Sequence, residues 1–121
     1  MDVRIKTTDY EITAEVSSYL DQRIAHVEKL LGEEAEGARL EVELGRDAGR
    51  PRHDENMWYA EMMVTAPGGM QVRATNRAAS INAAIDDVKE EMERQVRREK
   101  QVHIRFLRKS GALAKRLMRW E

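Results

Sequence analysis

Residues 94–119 hold ten basic side chains (Arg94, Arg97, Arg98, Lys100, Arg105, Arg108, Lys109, Lys115, Arg116 and Arg119) and a single acid, Glu99. Residues 1–93 carry 11 Lys or Arg against 20 Asp or Glu, so a net charge of −9 there faces +9 in the segment that follows. The overall charge of −1 conceals this separation. Crowded positive charge repels itself unless an anion relieves it, which points to a polyanionic partner, nucleic acid first among them. Arginine suits phosphate because its planar fork donates paired hydrogen bonds and stays charged at any cellular pH. A competing explanation is local. If a helix ends near Lys100, its last carbonyls attract cations, which accounts for Arg97, Arg98 and Lys100 but not for ten basic residues.

Other chemistry finds little support. There is no cysteine, which excludes disulfides, thiol catalysis and thiolate metal sites. His26, His53 and His103 lack ligand spacing to one another and read as surface residues. Ser17, Ser18, Ser80 and Ser110 are not framed by glycines as a nucleophile would be, and no phosphate-cradling glycine loop occurs. No cofactor, metal or small-molecule substrate is implied, nor any enzymatic activity. No apolar run approaches ~20 residues and Met1–Tyr10 has no signal core, so a soluble cytoplasmic protein without membrane contact is expected.

Hydropathy periods show what positions the basic residues. Val3 and Ile5 alternate with Arg4 and Lys6, predicting a short strand. Thr13 offers a helix cap; Val16, Leu20, Ile24, Val27 and Leu31 then recur at threes and fours, predicting a helix over 13–31 stopped by Gly32. Leu40, Val42 and Leu44 form a second alternating strand, and Gly45–Asn56 is polar enough for a loop. Residues 57–75 predict a hairpin turning at Pro67-Gly68-Gly69. Trp58 and Tyr59 must face opposite sides of that sheet, one toward the core. With aromatic residues at only 5%, the other is not expected to serve as a base-stacking platform, and recognition of RNA by backbone and shape is expected instead. A second helix starts near Arg77–Ser80 and runs to about Lys100 on the stripe Ile81, Ile85, Val88, Met92 and Val96. The fold class is therefore α+β: a β-α-β-β-β-α two-layer sandwich, a four-stranded sheet with both helices on one face. Residues 1–100 form that domain. Residues 101–121 form a basic tail, either a short helix built on Leu113, Leu117 and Trp120 or a segment ordered only by a partner.

Met92-Glu93-Arg94-Gln95-Val96-Arg97-Arg98-Glu99-Lys100 resembles the end of the second helix in the bacterial ribosome hibernation promoting factors, or ribosome-associated inhibitors. Ala83-Ala84-Ile85-Asp86 matches the start of that helix, and Val72-Arg73-Ala74 the strand before it. Glu11-Ile12-Thr13, Tyr19-Leu20, Arg23 and Val27-Glu28-Lys29-Leu30 follow the family's first-helix pattern. The resemblance covers about residues 1–100. It implies a stress-phase protein that occupies the decoding channel of the small ribosomal subunit, binds its 16S-type ribosomal RNA and excludes messenger and tRNA. Carried over by position, Arg23, Lys29, Arg94, Arg97, Arg98 and Lys100 are the RNA-contact candidates. Charge adds Lys89, Arg105, Arg108 and Lys109. Long family members have a further dimerising domain, so a short form, monomeric when free, is expected. Ser80-Ile81-Asn82 and Glu91 depart from the family, which has an acidic-Met-Tyr run and a frequent lysine there. Without the resemblance, a double-stranded RNA reader, an assembly factor or a protein-interaction module with a basic arm fits the same charge pattern.

Overall fold

The computed structural model describes residues 1–47 and 57–110, with side chains as far as residue 102. Its elements are β1 (Asp2–Thr8), α1 (Ala14–Leu31), a 3-10 turn (Gly32–Gly37), β2 (Arg39–Arg46), β3 (Trp58–Ala66), a turn at Pro67–Gly69, β4 (Met70–Ala78) and α2 (Ile81–Ser110). The sheet order is β1-β2-β3-β4, with β1 parallel to β2 and the other neighbours antiparallel. This is the expected β-α-β-β-β-α sandwich.

Local chemistry sets the ends of α1. Thr13 is extended and its hydroxyl accepts the Val16 N–H at 3.2 Å, satisfying an otherwise orphaned donor. At the other end Gly32 takes φ 62°, which brings its N–H onto the Glu28 and Lys29 carbonyls. In α2, the Ser80 hydroxyl accepts from the Ala83 N–H at 3.1 Å and the Ser80 carbonyl from the Ala84 N–H at 3.0 Å. Ser80, one of the departures from the family pattern, thus caps the helix.

Both helices bury one stripe. Leu20, Ile24, Val27 and Leu31 of α1 and Ala84, Ile85, Val88, Met92 and Val96 of α2 close over Leu40, Val42, Leu44, Ala60, Met62, Val64, Val72 and Ala74. No polar side chain is buried among the described residues. The connections fix the direction of the helices. Helix α1 must return against β1 to let β2 run parallel to it; β4 runs with β2, so α2 returns the same way. The helices consequently lie parallel, with Tyr19 near Asp86 and Leu30 near Lys100.

Three boundaries differ from expectation. Gly45 belongs to β2, paired with Thr8 and Tyr59, rather than opening the loop. β4 continues to Ala78 because Asn76, Arg77 and Ala78 still pair with Ala60, Tyr59 and Trp58. Most importantly, α2 does not stop near Lys100: residues 101–110 continue it, since neither Gly nor Pro occurs between Gly69 and Gly111. The proposed helix around Leu113, Leu117 and Trp120, and the loop over 48–56, lie outside the described residues.

Candidate nucleic-acid interface

The extension of α2 changes the meaning of its arginines. Arg97, Arg98 and Lys100 sit ten or more residues before Ser110, far from the last turn, where the field of the helix end is felt. They do not serve the α2 terminus. Lys100 serves the other helix: its Nζ donates to the Leu30 carbonyl at 2.7 Å, placing a cation on the carbonyl end of α1. Lys100 is therefore half-buried and engaged, and as a phosphate ligand it would first have to release α1.

Arg23 is also engaged. Its Nε donates to Asp86 Oδ1 at 3.0 Å, and its guanidinium lies 3.7 Å from the centre of the Tyr19 ring. The Tyr19 hydroxyl donates to Asp86 Oδ2, so a single carboxylate on α2 holds two side chains of α1. Asp86 bears the electrostatic signature of this junction. Burial works against its ionisation, but hydrogen bonds from Tyr19 and Arg23 and the nearby positive charge outweigh burial and lower its pKa. The same hydrogen bond, with burial, raises that of Tyr19.

Lys89 bridges to Glu93 at 2.6 Å, and both side chains are largely covered. Glu93 also meets Arg97 at 3.5 Å, while Arg94 pairs with Glu91, which in turn accepts from Gln95 at 3.0 Å. Glu91, the second family departure, has a lowered pKa through its bonds from Gln95 and then Arg94. Arg94 and Arg97 nevertheless remain 70% and 58% exposed. Exposed pairs at i,i+3 and i,i+4 are worth only about 0.3–0.5 kcal/mol, so a phosphate can displace them at small cost. The side chains of Arg98 and Lys29 are exposed and form neither a hydrogen bond nor an ion pair among the described residues. Arg105, Arg108 and Lys109 lie in the last turns of α2, beyond the described side chains.

The sequence candidates thus separate into two groups. Lys29, Arg94, Arg97 and Arg98 are presented to solvent, whereas Arg23 and Lys100 tie one helix to the other and Lys89 is paired with Glu93 on its own helix. Because α1 and α2 run parallel, Lys29 sits at the same end as the Arg94–Arg98 stretch, which the contact between Leu30 and Lys100 fixes.

The uncovered sheet face carries a second basic group that the charge count passed over: Arg4, Lys6, Arg39, Arg73 and Arg77. The strand alternation held the signal. These side chains interleave with acids: Arg4 and Arg39 meet Asp2, Lys6 meets Glu43, Arg73 meets Glu61 and Arg77 meets Asp47. Tyr59 offers no stacking platform there. Its ring lies across Gly45, its hydroxyl donates to Glu43 at 2.6 Å, and Arg77 sits 5.6 Å from its centre. Trp58, on the helix side, is half-buried edge-on against Tyr10 at 5.4 Å.

The profile of the Sigma 54 modulation protein / S30EA ribosomal protein family matches residues 3–103. Among solved structures, the chain is similar to the Protein Y N-terminal domain of Thermus thermophilus. That match has 28% identity and a TM-score of 0.63, over 81% of this chain and 98% of that one. It is also similar in fold to a ribosomal subunit interface protein from Coxiella burnetii, at 10% identity and a TM-score of 0.65, over 84% of this chain and 99% of that one. No curated protein matches it. The resemblance carried by Ala83–Asp86 and Met92–Lys100 thus extends to the whole fold, and the chain belongs to the Sigma 54 modulation protein / S30EA ribosomal protein family.

Proposed function

We propose that this protein is a ribosome hibernation factor that docks in the decoding channel of the small subunit and silences translation by occupying the space of messenger and tRNA. Membership of a family named for a ribosomal protein supports the ribosome as partner. The observation that carries the site is the set of exposed cations at the same end of the two parallel helices, Lys29 on one and Arg94, Arg97 and Arg98 on the other. It is a binding surface, and its work is steric exclusion with affinity from phosphate neutralisation. Arg105, Arg108 and Lys109 extend the same helix and are assigned to the same RNA. Arg23 and Lys100 act indirectly, by keeping the two helices in register, and Lys89 by holding Glu93 on its own helix.

The test is sedimentation with purified small subunits. A variant carrying Arg94→Glu, Arg97→Glu and Arg98→Glu should keep its circular dichroism and a cooperative melt, because none of these side chains enters the core, yet leave the subunit fraction. The melt should be lowered only by the few degrees that two lost surface ion pairs and the new repulsion from Glu91 and Glu93 cost. Co-sedimentation equal to that of the unaltered protein refutes the site. A protein that binds free duplex RNA as tightly as it binds subunits refutes channel docking and favours a general reader of structured RNA.

A further inference from the structure

Among the described residues, the edge strand β1 is unpaired on one side. It ends the sheet order, and among the described residues no element lies beyond it. Every side chain from Asp2 to Thr7 is exposed, including Val3 at 37% and Ile5 at 43%. These two stand beside Leu40 and Val42 on the helix-facing side of the sheet, where apolar side chains are otherwise covered. The Asp2 N–H donates inward to the Ala38 carbonyl at 3.0 Å. Alternation along a strand then turns the backbone groups of Arg4 and Lys6 inward as well, and those of Val3, Ile5 and Thr7 outward to the free edge. An edge with unpaired donors and acceptors and two partly exposed aliphatic side chains is a template for another strand.

We propose that the partner is a second copy of this chain, pairing β1 against β1 antiparallel about a two-fold axis at Arg4. The residue pattern singles out this register. It sets Val3 opposite the second copy's Ile5 twice over, both as hydrogen-bonded pairs through their outward groups, and sets Asp2 opposite Lys6 twice over. Centring on Ile5 instead would oppose Arg4 to Lys6 in two places, which is repulsive. Centring on Val3 shortens the overlap to the first five residues. Registers that flip one sheet would set Arg4 and Lys6 against aliphatic side chains. In the chosen register the two Arg4 side chains do meet, but each has its own Asp2 at 3.4 Å. The axis stands normal to the sheet, so both helix layers stay on one side and the Val3–Ile5 strip runs across the seam of an eight-stranded sheet. Such an edge contact is small, well below the ~1,000 Å² of a stable interface, so the dimer is weak and depends on concentration.

The absence of cysteine makes the register testable with single thiols. At a non-hydrogen-bonded antiparallel pair the Cα atoms are about 4.5 Å apart, inside the range a disulfide spans. In a glutathione redox buffer at high micromolar protein, Arg4→Cys should give a covalent homodimer. Lys6→Cys should not, because its two copies sit about 14 Å apart along the strands. A mixture of Lys6→Cys with Asp2→Cys should cross-link to each other. Equal homodimer from Arg4→Cys and Lys6→Cys, or none from either, overturns the proposal. Sedimentation equilibrium of the unaltered chain gives the second reading: its mass should rise with concentration, and Val3→Lys should abolish the rise without altering the circular dichroism. A chain that stays monomeric throughout overturns the proposal as well, leaving a peptide of another protein as the ligand of this edge.

Discussion

Replacing Asp86 by Asn removes the charge from the junction between the helices while keeping its shape. Two bonds are affected, one from the Tyr19 hydroxyl and one from Arg23 Nε at 3.0 Å. Buried hydrogen bonds to a charged group are worth about 1.5–3 kcal/mol each. Asp86 is 42% exposed, and solvent screens it toward the 0–1 kcal/mol of surface ion pairs. Asparagine retains one acceptor for Tyr19 or Arg23, so the expected loss at neutral pH is about 1–2 kcal/mol, or roughly 4–10 °C in Tm. The pH dependence follows from the lowered pKa of Asp86. A carboxylate whose folded pKa lies below its unfolded value, about 3.9, stabilises fully above that value and loses the effect as pH falls through the folded one. Urea melts of the unaltered protein and the Asn variant, followed by circular dichroism, should therefore differ at pH 7 and converge in strong acid, where Asp86 is protonated. A difference of the same size at both pH values, or none at pH 7, refutes the latch.

Other substitutions test other parts of the fold. Lys100→Met keeps the aliphatic stem but withdraws the cation from the Leu30 carbonyl; stability should fall by about 1 kcal/mol in denaturant melts, with hydrogen exchange rising in the last turn of α1. Gly45→Ala would bring a Cβ within 2.5 Å of the Tyr59 ring and hydroxyl. The ring must swing away from Glu43, at a cost of about 2–3 kcal/mol in melts; an unchanged midpoint would show that the ring does not need the gap.

Much of this fold is legible in the chain because its signals are local. Thr13 and Gly32 bracket α1, and the spacing from Ile85 to Val96 names the buried face of α2. What was misjudged depends on partners distant in sequence or on weighing two local signals. Gly45 looks like the start of a loop until Tyr59, on the next strand, is seen to occupy the place of its side chain. The end of α2 is hard to place from the sequence because Val102, Ile104 and Phe106 alternate with His103 and Arg105 as a strand would, and the arginines before them resemble a helix terminus. The lack of any breaker before Gly111 was the stronger signal. Charge alone could not separate the engaged cations from the presented ones. Arg23 and Lys100 are held by Asp86 and by the Leu30 carbonyl, 63 and 70 residues away in sequence, and that is visible only once the helices lie side by side.

Salt dependence of binding to purified small subunits tests the phosphate-neutralising surface most directly. With Lys29, Arg94, Arg97, Arg98, Arg105, Arg108 and Lys109 each meeting one phosphate, log affinity should fall against log salt with a slope of roughly −5 to −6, and the Arg98→Ala protein should show a slope shallower by roughly 0.7–0.9. A flat salt titration, or an Arg98→Ala slope no different from that of the unaltered chain, contradicts it.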